Sequence, residues 1–272
     1  MTGSHPLDVL FDAAAAGSEV EIPEGWGQGR AVYGGLVAGT LQAHALGAFD
    51  LEPDALRATT TSFVAPTECG PARLEAVLLR RGSSATQTEV KLWQRDSRSG
   101  EETVRSVQLS AYGADRESSV DLAPAPPRHT IPDPDPLMVV PVVPGITPEF
   151  FAKVQLRPAH GRFPFSGSTT GDMAGFMRLT ETPRALALPH FIALVDAWPP
   201  APGQLLRSPA AMSTLTWTLE MLTLPTGPAD QHWWYEVDTD AAHNGYAHTH
   251  AHVFTRDGAP VAISRQTITI FG

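Results

Sequence analysis

Disulfide bonds, membrane spans and a secretory signal are all missing from the sequence. Its 272 residues include a single cysteine, Cys69, so no internal disulfide can form. No run of eighteen or more apolar residues occurs, and we therefore expect no membrane-spanning helix. The first residues, MTGSHPLDVLFDAAAAG, do not place a basic segment before an apolar one, which is the pattern of a secretory signal. These absences together predict a cytoplasmic protein with a reduced thiol.

Positive charge is also scarce. The chain carries 19 Lys and Arg residues against 29 Asp and Glu residues, and its formal net charge is −10. With no basic cluster, this balance argues against nucleic acid as a partner. It leaves room for a small anionic ligand. Arg80 and Arg81, at the end of a predicted strand beside a turn, are candidates to bind one.

Proline is concentrated near the middle of the chain. Residues 123–148, APAPPRHTIPDPDPLMVVPVVPGITP, contain nine prolines, and such a segment sustains neither a helix nor a central strand. We interpret it as an extended connector. The predicted organisation is therefore an N-terminal unit at 1–118, a linker at 119–148 and a C-terminal unit at 149–272.

The two halves share a layout. Each is predicted to contain one helix followed by four strands, which indicates an internal repeat and an α+β fold. The last strands end alike, in LSAYG and ITIFG. The predicted helices span 34–49 and 189–198. The predicted strands span 56–64, 72–81, 85–94 and 103–113 in the first half, and 211–222, 232–240, 246–256 and 261–272 in the second.

An acidic residue stands at an unfavourable place in the second helix. Asp196 falls in the last turn, just before Pro199 and Pro200, where the helix end carries partial negative charge. At helical spacing it shares a face with Ile192 and Ala193, the face expected to be buried. It is either a solvated acid at a helix end or a general base whose pKa partial burial raises toward neutrality. The helix dipole and the apolar neighbours favour the base.

The closing strand predicts a buried amide. Alternation puts Gln266 on one face with Ala262, Ser264, Ile268 and Ile270, opposite Arg265, Thr267 and Thr269. A buried amide must find partners or lose a few kcal/mol of stability. Pairing with backbone and holding a reacting water are the two roles open to it.

The strand STLTWTLEML offers hydroxyl groups. Strict alternation places Thr214 with Thr216 and Thr218, opposite Leu215, Trp217 and Leu219. Thr214 is then either a surface threonine or part of a site. If the strand bulges, Ser213 could take its place.

Gly34 and Gly35 begin the first predicted helix. Two roles are compatible here: close approach between helix and sheet, which needs residues without side chains, and binding of negative charge by the unpaired amides of a helix start. By contrast, His248, His250 and His252 alternate along one strand face without a carboxylate in that strand. We interpret them as an exposed polar face and predict no metal site.

These segments together resemble the acyl-CoA thioesterase II-like (TesB-like) family. WGQGRAVYGGLVAG at 26–39 is similar to the family's first-helix motif, and LPHFIALVDAWPPA at 188–201 to its second helix. STLTWTLEML and GAPVAISRQTITIFG are similar to the strands that follow. The resemblance covers roughly residues 6–115 and 150–272. It implies a double hotdog fold, with two antiparallel sheets that each wrap around a central helix.

The resemblance also implies a reaction: hydrolysis of an acyl thioester by a water held between an aspartate, a hydroxyl and a glutamine. These roles fall on Asp196, Thr214 and Gln266. The chain departs from the family pattern at Thr216 and Trp217, where better-known members have an Asp-His pair. It departs again at Glu220, where an aromatic residue is usual.

The substrate implied is an acyl thioester of coenzyme A or of a carrier protein, and no cofactor is required. We expect its carbonyl at Gly34 and Gly35, with Tyr33 beside them, and its acyl chain in an apolar channel between the halves. Arg80 and Arg81 could meet the coenzyme A phosphates. A homo-oligomer is expected by analogy.

Two other functions stay open at this point. One is an acyl-thioester binding protein without hydrolysis, which the departures at Thr216, Trp217 and Glu220 suggest. The other is a hotdog dehydratase, which needs a histidine paired with an acid near the helix start. His44 lies deep in the first helix, with no acid at a suitable position before it, which disfavours the dehydratase.

Overall fold

The computed structural model describes residues 4–96 and 99–271, which form an α+β structure. Three α-helices occur in this described part: α1 (Pro6–Ala16), α2 (Gly34–Phe49) and α3 (Leu188–Val195). Three short 3₁₀ helices span Pro53–Ala55, Glu149–Ala152 and Ala201–Leu205. No helix in the described residues is long and apolar enough to cross a membrane.

All eight predicted strands are present, within two or three residues of their predicted ends. The structure adds α1, the strands β1, β8 and β9, and the two-residue pair β2 and β3, which the sequence prediction missed. The strands are β1 (Glu19–Ile22), β2 (Gly27–Gln28), β3 (Ala31–Val32), β4 (Leu56–Phe63), β5 (Gly70–Arg81), β6 (Thr86–Arg95), β7 (Glu102–Tyr112), β8 (Val154–His160), β9 (Met173–Leu179), β10 (Met212–Met221), β11 (Trp233–His243), β12 (Tyr246–Phe254) and β13 (Pro260–Ile270).

The expected two separate sheets are not confirmed. Eleven strands form one continuous sheet in the order β1-β5-β6-β7-β4-β10-β13-β12-β11-β9-β8, and β2 and β3 form a small second sheet. The order is symmetric about the β4–β10 pair, since β7, β6 and β5 on one side match β13, β12 and β11 on the other. The predicted repeat is therefore visible in the topology, although its halves share one sheet.

Backbone hydrogen bonding across β4 and β10 is what joins the halves. The antiparallel register runs from Thr216 opposite Ser62 to Glu220 opposite Ala58. At its centre, the hydroxyls of Thr60 and Thr218 lie 2.9 Å apart and hydrogen-bond. Pairing the two edge strands removes two exposed sheet edges, which would otherwise be free to pair with other chains.

The central helices α2 and α3 pack directly on each other. A Cβ added to Gly35 would collide with the Ala193 carbonyl oxygen, and one added to Gly39 would lie 2.6 Å from that of Pro189. The helices are therefore antiparallel and close enough that only glycine fits at these two positions. As a result, the end of α3 meets the start of α2.

The predicted linker contains no helix or strand between residues 123 and 148. It lies on the outer face of the C-terminal half, where Ile131 and Leu137 pack against a cluster that includes Phe176 and Trp234. The Arg128 backbone N–H donates to buried Glu236 at 2.9 Å. The linker thus covers apolar surface as well as connecting the halves. The exact unit limits at 118 and 149 stay a prediction.

Candidate active site

Asp196 caps the carboxyl end of α3 and points at the amino end of α2. It adopts φ −80° and ψ 3°, just outside the helix, and the Gly35 backbone N–H hydrogen-bonds its carboxylate. The partial positive charge at the start of α2 offsets the unfavourable charge at the end of α3. The carboxylate is therefore unfavourable at the end of its own helix, α3, and favourable at the start of the neighbouring helix, α2.

The Asp196 side chain is enclosed by protein, yet part of its surface stays accessible. Burial raises the pKa of this carboxyl to about 7, although the hydrogen bonds from Gln266 and Gly35 act in the opposite direction. A carboxyl with this pKa is half ionised near neutral pH and is a much stronger base than a solvated aspartate.

A chain of hydrogen bonds connects three side chains that are distant in the sequence. Gln266 Nε2 donates to Asp196 Oδ1 at 2.9 Å. Thr214 Oγ1 donates to Gln266 Oε1 at 3.3 Å. Because the hydroxyl meets the amide oxygen and the carboxylate meets the amide nitrogen, these partners assign the orientation of the Gln266 amide. The structure thus brings together the three predicted residues.

A β-bulge explains how Thr214 reaches this position. The β10–β13 register shifts between Thr214 and Thr216, so Leu215 is an extra residue. Beyond it, Trp217 and Leu219 point into the core and are 2% and 0% exposed. The alternation prediction, which put Thr214 opposite these residues, is wrong, because the extra residue returns Thr214 to the inner face. Ser213 is exposed, and its carbonyl accepts from Thr269 Oγ1.

Gly34 and Gly35 are both required by contacts at the site. A Cβ at position 34 would lie 2.8 Å from Asp196 Oδ2 and 3.1 Å from Phe63 Cζ. Since the Gly35 amide already binds the carboxylate, it is not free to bind a substrate oxygen in this arrangement. The close-approach role of the glycines is therefore evident, and their role in substrate binding stays a prediction.

Tyr33 lies behind the site. Its side chain is 1% exposed, its hydroxyl donates to the Ala193 carbonyl, and its ring stacks on Phe150 with centroids 4.1 Å apart. Burial and the nearby Asp196 charge raise its pKa well above the usual value. This placement gives Tyr33 a role in holding α2 and α3 together, rather than the contact with substrate that the sequence predicted.

The residues at which the chain departs from the family pattern have separate environments. Trp217 faces the interior directly across from Gln266, and its indole N–H donates to Ser264 Oγ at 2.8 Å. Thr216 is exposed at the bulge. Glu220 lies on the outer face and pairs with Arg265 at 3.4 Å. Only Trp217 therefore adjoins the site.

Arg80 and Arg81 are not brought to this site. Arg81 donates to the Phe49 carbonyl oxygen at 2.5 Å, at the opposite end of α2 from Gly34. Sixteen helical residues, a length of roughly 24 Å, separate the two ends. Arg81 is therefore remote from Asp196, and its neighbour Arg80 belongs to the same strand end. Their predicted contact with the coenzyme A phosphates stays a prediction.

The candidate histidines also lie elsewhere. His250 contacts Asp240 at 2.7 Å and Asp238 at 3.4 Å on the outer face, so a neighbouring strand supplies the carboxylates that its own strand lacks. Across residues 4–96 and 99–271, no group of three His, Cys, Asp or Glu side chains is arranged to hold a metal ion. His44 is buried, and its Nδ1 lies 2.8 Å from the Ala14 carbonyl oxygen of α1.

A cleft of about 560 Å³ opens beside the start of α2. Its lining includes Arg30, Val32 and residues 145–149. Another cleft of about 520 Å³ lies at the opposite end of the β4–β10 pair, lined by residues 52–57 and 221–224. Phe63 and Thr214 lie at the end of the β4–β10 pair that is remote from this second cleft. The cleft at Arg30 is therefore the one nearer to Asp196.

Comparison with known families decides the class of this protein. Residues 22–111 match the model of the acyl-CoA thioesterase N-terminal domain, and residues 120–270 match that of the C-terminal domain. The chain belongs to the acyl-CoA thioesterase family. This thioesterase-family protein is thus a thioester hydrolase by class, as the resemblance implied. Among curated protein sequences, none matches it.

Solved structures confirm the hotdog fold. The chain is similar to a hotdog protein of unknown function from Alicyclobacillus acidocaldarius (22% identity, 96% of this chain and 98% of that one, TM-score 0.82). It is also similar to a proposed thioesterase II from Thermobifida fusca (20%, 99% and 100%, TM-score 0.78). A third is the TesB protein of Mycobacterium avium subspecies paratuberculosis (14%, 93% and 92%, TM-score 0.73). At these identities the likeness establishes the fold alone.

Proposed function

We propose that this protein hydrolyses acyl-CoA thioesters and that Asp196 activates the attacking water. The observation that carries the proposal is the 2.9 Å hydrogen bond between Gln266 and Asp196, two residues from different elements that meet at the start of α2. Family membership supports thioester hydrolysis in general, and this contact supports the specific role of the carboxylate.

The reaction begins with proton transfer from water to Asp196. The resulting hydroxide attacks the thioester carbonyl carbon, and the carbonyl oxygen becomes an oxyanion. The C–S bond then breaks, the electron pair leaves on sulfur, and the protonated Asp196 returns its proton to the thiolate. The products are the free acid and the thiol, and no other reactant is consumed.

Gln266 and Thr214 are proposed to position the reactants. Gln266 Nε2 carries a second hydrogen besides the one donated to Asp196, and this hydrogen can hold the oxygen of the attacking water. Thr214 fixes the amide by donating to its carbonyl oxygen. The oxyanion would face the first turn of α2 at Gly34, where helix amides and the helix dipole stabilise negative charge.

The thiol carrier is proposed to enter from the cleft that Arg30 and residues 145–149 line. This cleft includes Val32, two residues before the start of α2 where Asp196 lies, and a guanidinium is suited to phosphate groups such as those of coenzyme A. The acyl group would then extend in the other direction, between α2 and the sheet.

The symmetric strand order supports a finer description of the fold, a double hotdog. We propose that residues 1–118 and 149–272 are two hotdog units, with α2 and α3 as their central helices, joined by the linker at 119–148. The two units would share one sheet through the β4–β10 pair.

The decisive experiment compares the wild type with Asp196→Asn on a panel of acyl-CoAs, using a thiol reagent to detect release of coenzyme A. Asparagine keeps the shape but cannot accept the proton, so we expect turnover to fall by about a thousandfold or more. Circular dichroism and the melting temperature serve as folding controls. Wild-type turnover in a folded Asp196→Asn variant would overturn the proposed role of Asp196.

A second candidate function is binding of acyl thioesters without hydrolysis. The indole of Trp217, next to Gln266 on the inner face, is the observation that favours it, because the bulk of this side chain could exclude the attacking water. Tight binding of acyl-CoA by the wild type, without thiol release, would establish this alternative. The dehydratase gains no support, because His44 contacts α1 rather than an acid at the start of α2.

A further inference from the structure

The strand β7 has its polar face turned inward. Ser106, Gln108 and Ser110 alternate along this face and are 0%, 0% and 5% exposed, whereas Leu109 between them is 48% exposed. On the neighbouring strand β4, Thr59 and Thr61 also point inward and are buried. This arrangement is unusual, because polar side chains are buried while a leucine of the same strand is exposed. Burial of polar groups normally lowers stability, so the arrangement needs an explanation.

Of the five inward-facing residues just named, two have an atom without a hydrogen-bond partner among residues 4–96 and 99–271: the hydroxyl oxygen of Ser106 and the amide oxygen of Gln108. The Gln108 amide cannot be reversed to satisfy its oxygen. Its nitrogen donates to the Ala38 carbonyl and to Thr61 Oγ1, both at 3.0 Å. A reversed amide would set its oxygen against the Ala38 carbonyl oxygen. The unpaired acceptor is therefore a property of the arrangement.

The unpaired atoms lie at the end of the polar face nearest Asp196. Ser106 pairs in register with Phe63, and both the Phe63 ring and the Asp196 carboxylate stand against Gly34. Gln108 contacts Ala38, which is one helical turn from Gly34 on α2, or roughly 6 Å along the axis.

Farther from Asp196, the inward-facing Ser110 of β7 has hydrogen-bond partners. Ser110 hydrogen-bonds Thr59 at 3.0 Å and donates to Gln42 Oε1 at 3.3 Å. Gln42 Nε2 in turn donates to the Tyr112 hydroxyl at 2.7 Å. Other buried hydroxyls nearby also have no partner in the described residues, those of Thr88 opposite Ser110 and of Thr103 on β7. Ser106 and Gln108 differ from them because Phe63 and Ala38 connect them to the start of α2.

We propose that Ser106 and Gln108 bind a hydroxyl group carried by the acyl chain of the substrate. This inference rests on the proposed function and narrows its substrate class to hydroxyacyl thioesters. The ligand hydroxyl donates to Gln108 Oε1 and accepts from the Ser106 hydroxyl, which pairs both atoms. It corrects the expectation of an apolar acyl channel, because the inner face next to Asp196 is polar on the N-terminal side.

The acyl group, rather than the coenzyme A arm, supplies this hydroxyl. Both side chains are fully buried, whereas the arm must continue to a nucleotide that stays outside. A distance of roughly 6 Å from the level of Asp196 corresponds to about five or six bonds along an extended chain. The hydroxyl is therefore expected near the end of a six-carbon acyl group.

The test compares 6-hydroxyhexanoyl-CoA with heptanoyl-CoA, which replaces the terminal hydroxyl by a methyl group of similar size. We expect the wild type to prefer the hydroxylated substrate about tenfold or more in kcat/KM, because the methyl group leaves two buried polar atoms unpaired. Affinities of both thioesters for the Asp196→Asn variant, which should not consume them, provide a second readout that is independent of turnover.

Two variants test whether Ser106 and Gln108 cause the preference for the hydroxylated substrate. Ser106→Ala and Gln108→Leu should each bring the ratio of the two substrates close to one, and Ser106→Ala serves if Gln108→Leu does not fold. Ser110→Ala is the matched control, since it removes a hydroxyl from the same strand face that already has partners, and it should keep the preference.

The outcomes separate this inference from the proposed function. Hydrolysis of both substrates with equal kcat/KM in the wild type overturns the hydroxyl site and leaves the thioesterase intact, as expected if only a buried water fills the gap. Binding that favours the hydroxyacyl thioester without any thiol release supports the site and contradicts hydrolysis. A preference that survives both variants also overturns the inference.

Discussion

The two halves of the sheet place a glutamine at matching positions and use it differently. Gln108 on β7 lies opposite Thr61 on β4, Thr61 lies opposite Trp217 on β10, and Trp217 lies opposite Gln266 on β13. The four residues form one row across the sheet, symmetric about the junction of the halves. All four face the central helices.

The difference lies in what each amide nitrogen meets. Gln266 donates to the Asp196 carboxylate, whereas Gln108 donates to a helix carbonyl and a threonine hydroxyl. Of these two glutamines, only Gln266 in the C-terminal half therefore hydrogen-bonds a carboxylate in the described part of the chain. Under the proposed mechanism, a repeated position in the fold becomes a reaction centre only where a partly buried acid stands beside it.

Among the variants that bear on this comparison, the largest expected effect concerns two glutamines with different partners. Gln266→Leu removes the hydrogen bond to the base and the proposed hold on water, so we expect kcat to fall by about a hundredfold. Gln42→Leu is the matched control, because Gln42 is a fully buried glutamine bonded to Tyr112 in the other half. Steady-state kinetics on one acyl-CoA measures both. Equal losses of kcat in the two variants would contradict a special role for Gln266.

The contact between α2 and α3 gives the second prediction. In Gly35→Ala, the new methyl group would collide with the Ala193 carbonyl oxygen and lie 2.6 Å from the Tyr33 hydroxyl. We expect the free energy of unfolding to drop by about 2 to 3 kcal/mol. Gly29→Ala, at a turn with nothing within 4 Å of the added Cβ but a φ of +68°, separates backbone strain from collision. Urea unfolding that shows no loss in Gly35→Ala would contradict the close packing.

The third prediction is a gain in stability from removing the base. The folded pKa of Asp196, about 7, lies above the unfolded value, so the native state binds its proton more tightly and loses stability as pH rises from about 4 to 7. Asparagine carries no such penalty. At pH 8, Asp196→Asn should be about 1 to 3 kcal/mol more stable than the wild type, and the difference should vanish near pH 4. A variant that is less stable at pH 8 would show that the charge is not penalised by burial.

The smallest expected effect belongs to the hydroxyl that supports Gln266. Thr214→Val keeps the volume but removes the hydrogen bond to Oε1, so the amide can rotate, and we expect about a tenfold loss in kcat with little change in KM. Thr216→Val, one position beyond the bulge and exposed, should leave the kinetics unchanged. Equal behaviour of the two variants would argue against the bulge as the device that brings Thr214 inward.

Local patterns in the sequence predicted much of the fold. The eight predicted strands and the start of α2 at Gly34 follow from alternation and from glycine and proline positions. By contrast, α1 is short and alanine-rich, and β8 contains Pro158 near its end, so neither has a strong periodic signal. The single sheet depends on edge pairing between β4 and β10, which is a tertiary contact that no local pattern encodes.

The site was only partly predictable for the same reason. Asp196 stood out because a carboxylate is unfavourable at the end of its own helix, and Gln266 because alternation placed an amide among isoleucines. Thr214 was assigned to the wrong face, because one extra residue in the strand reverses the alternation and leaves no mark in the sequence. Tyr33 was assigned to substrate, although its hydroxyl is taken up by the Ala193 carbonyl from the other half.

The inner polar face is visible in the sequence as an alternating pattern, but the pattern alone does not say which face is buried. Ser106, Gln108 and Ser110 alternate with Val107 and Leu109, and the usual expectation is that the apolar set faces the core. The structure shows the reverse, and only knowledge of which face meets α2 could have decided it.

The most direct test of the role of Asp196 is the pH dependence of kcat/KM on a single acyl-CoA between about pH 5 and 9. Because the base must be ionised, kcat/KM should rise about tenfold per pH unit below the pKa and level off above about 7. A profile that is flat across this range, as expected for a base with an ordinary aspartate pKa near 4, would contradict a buried Asp196 as the base.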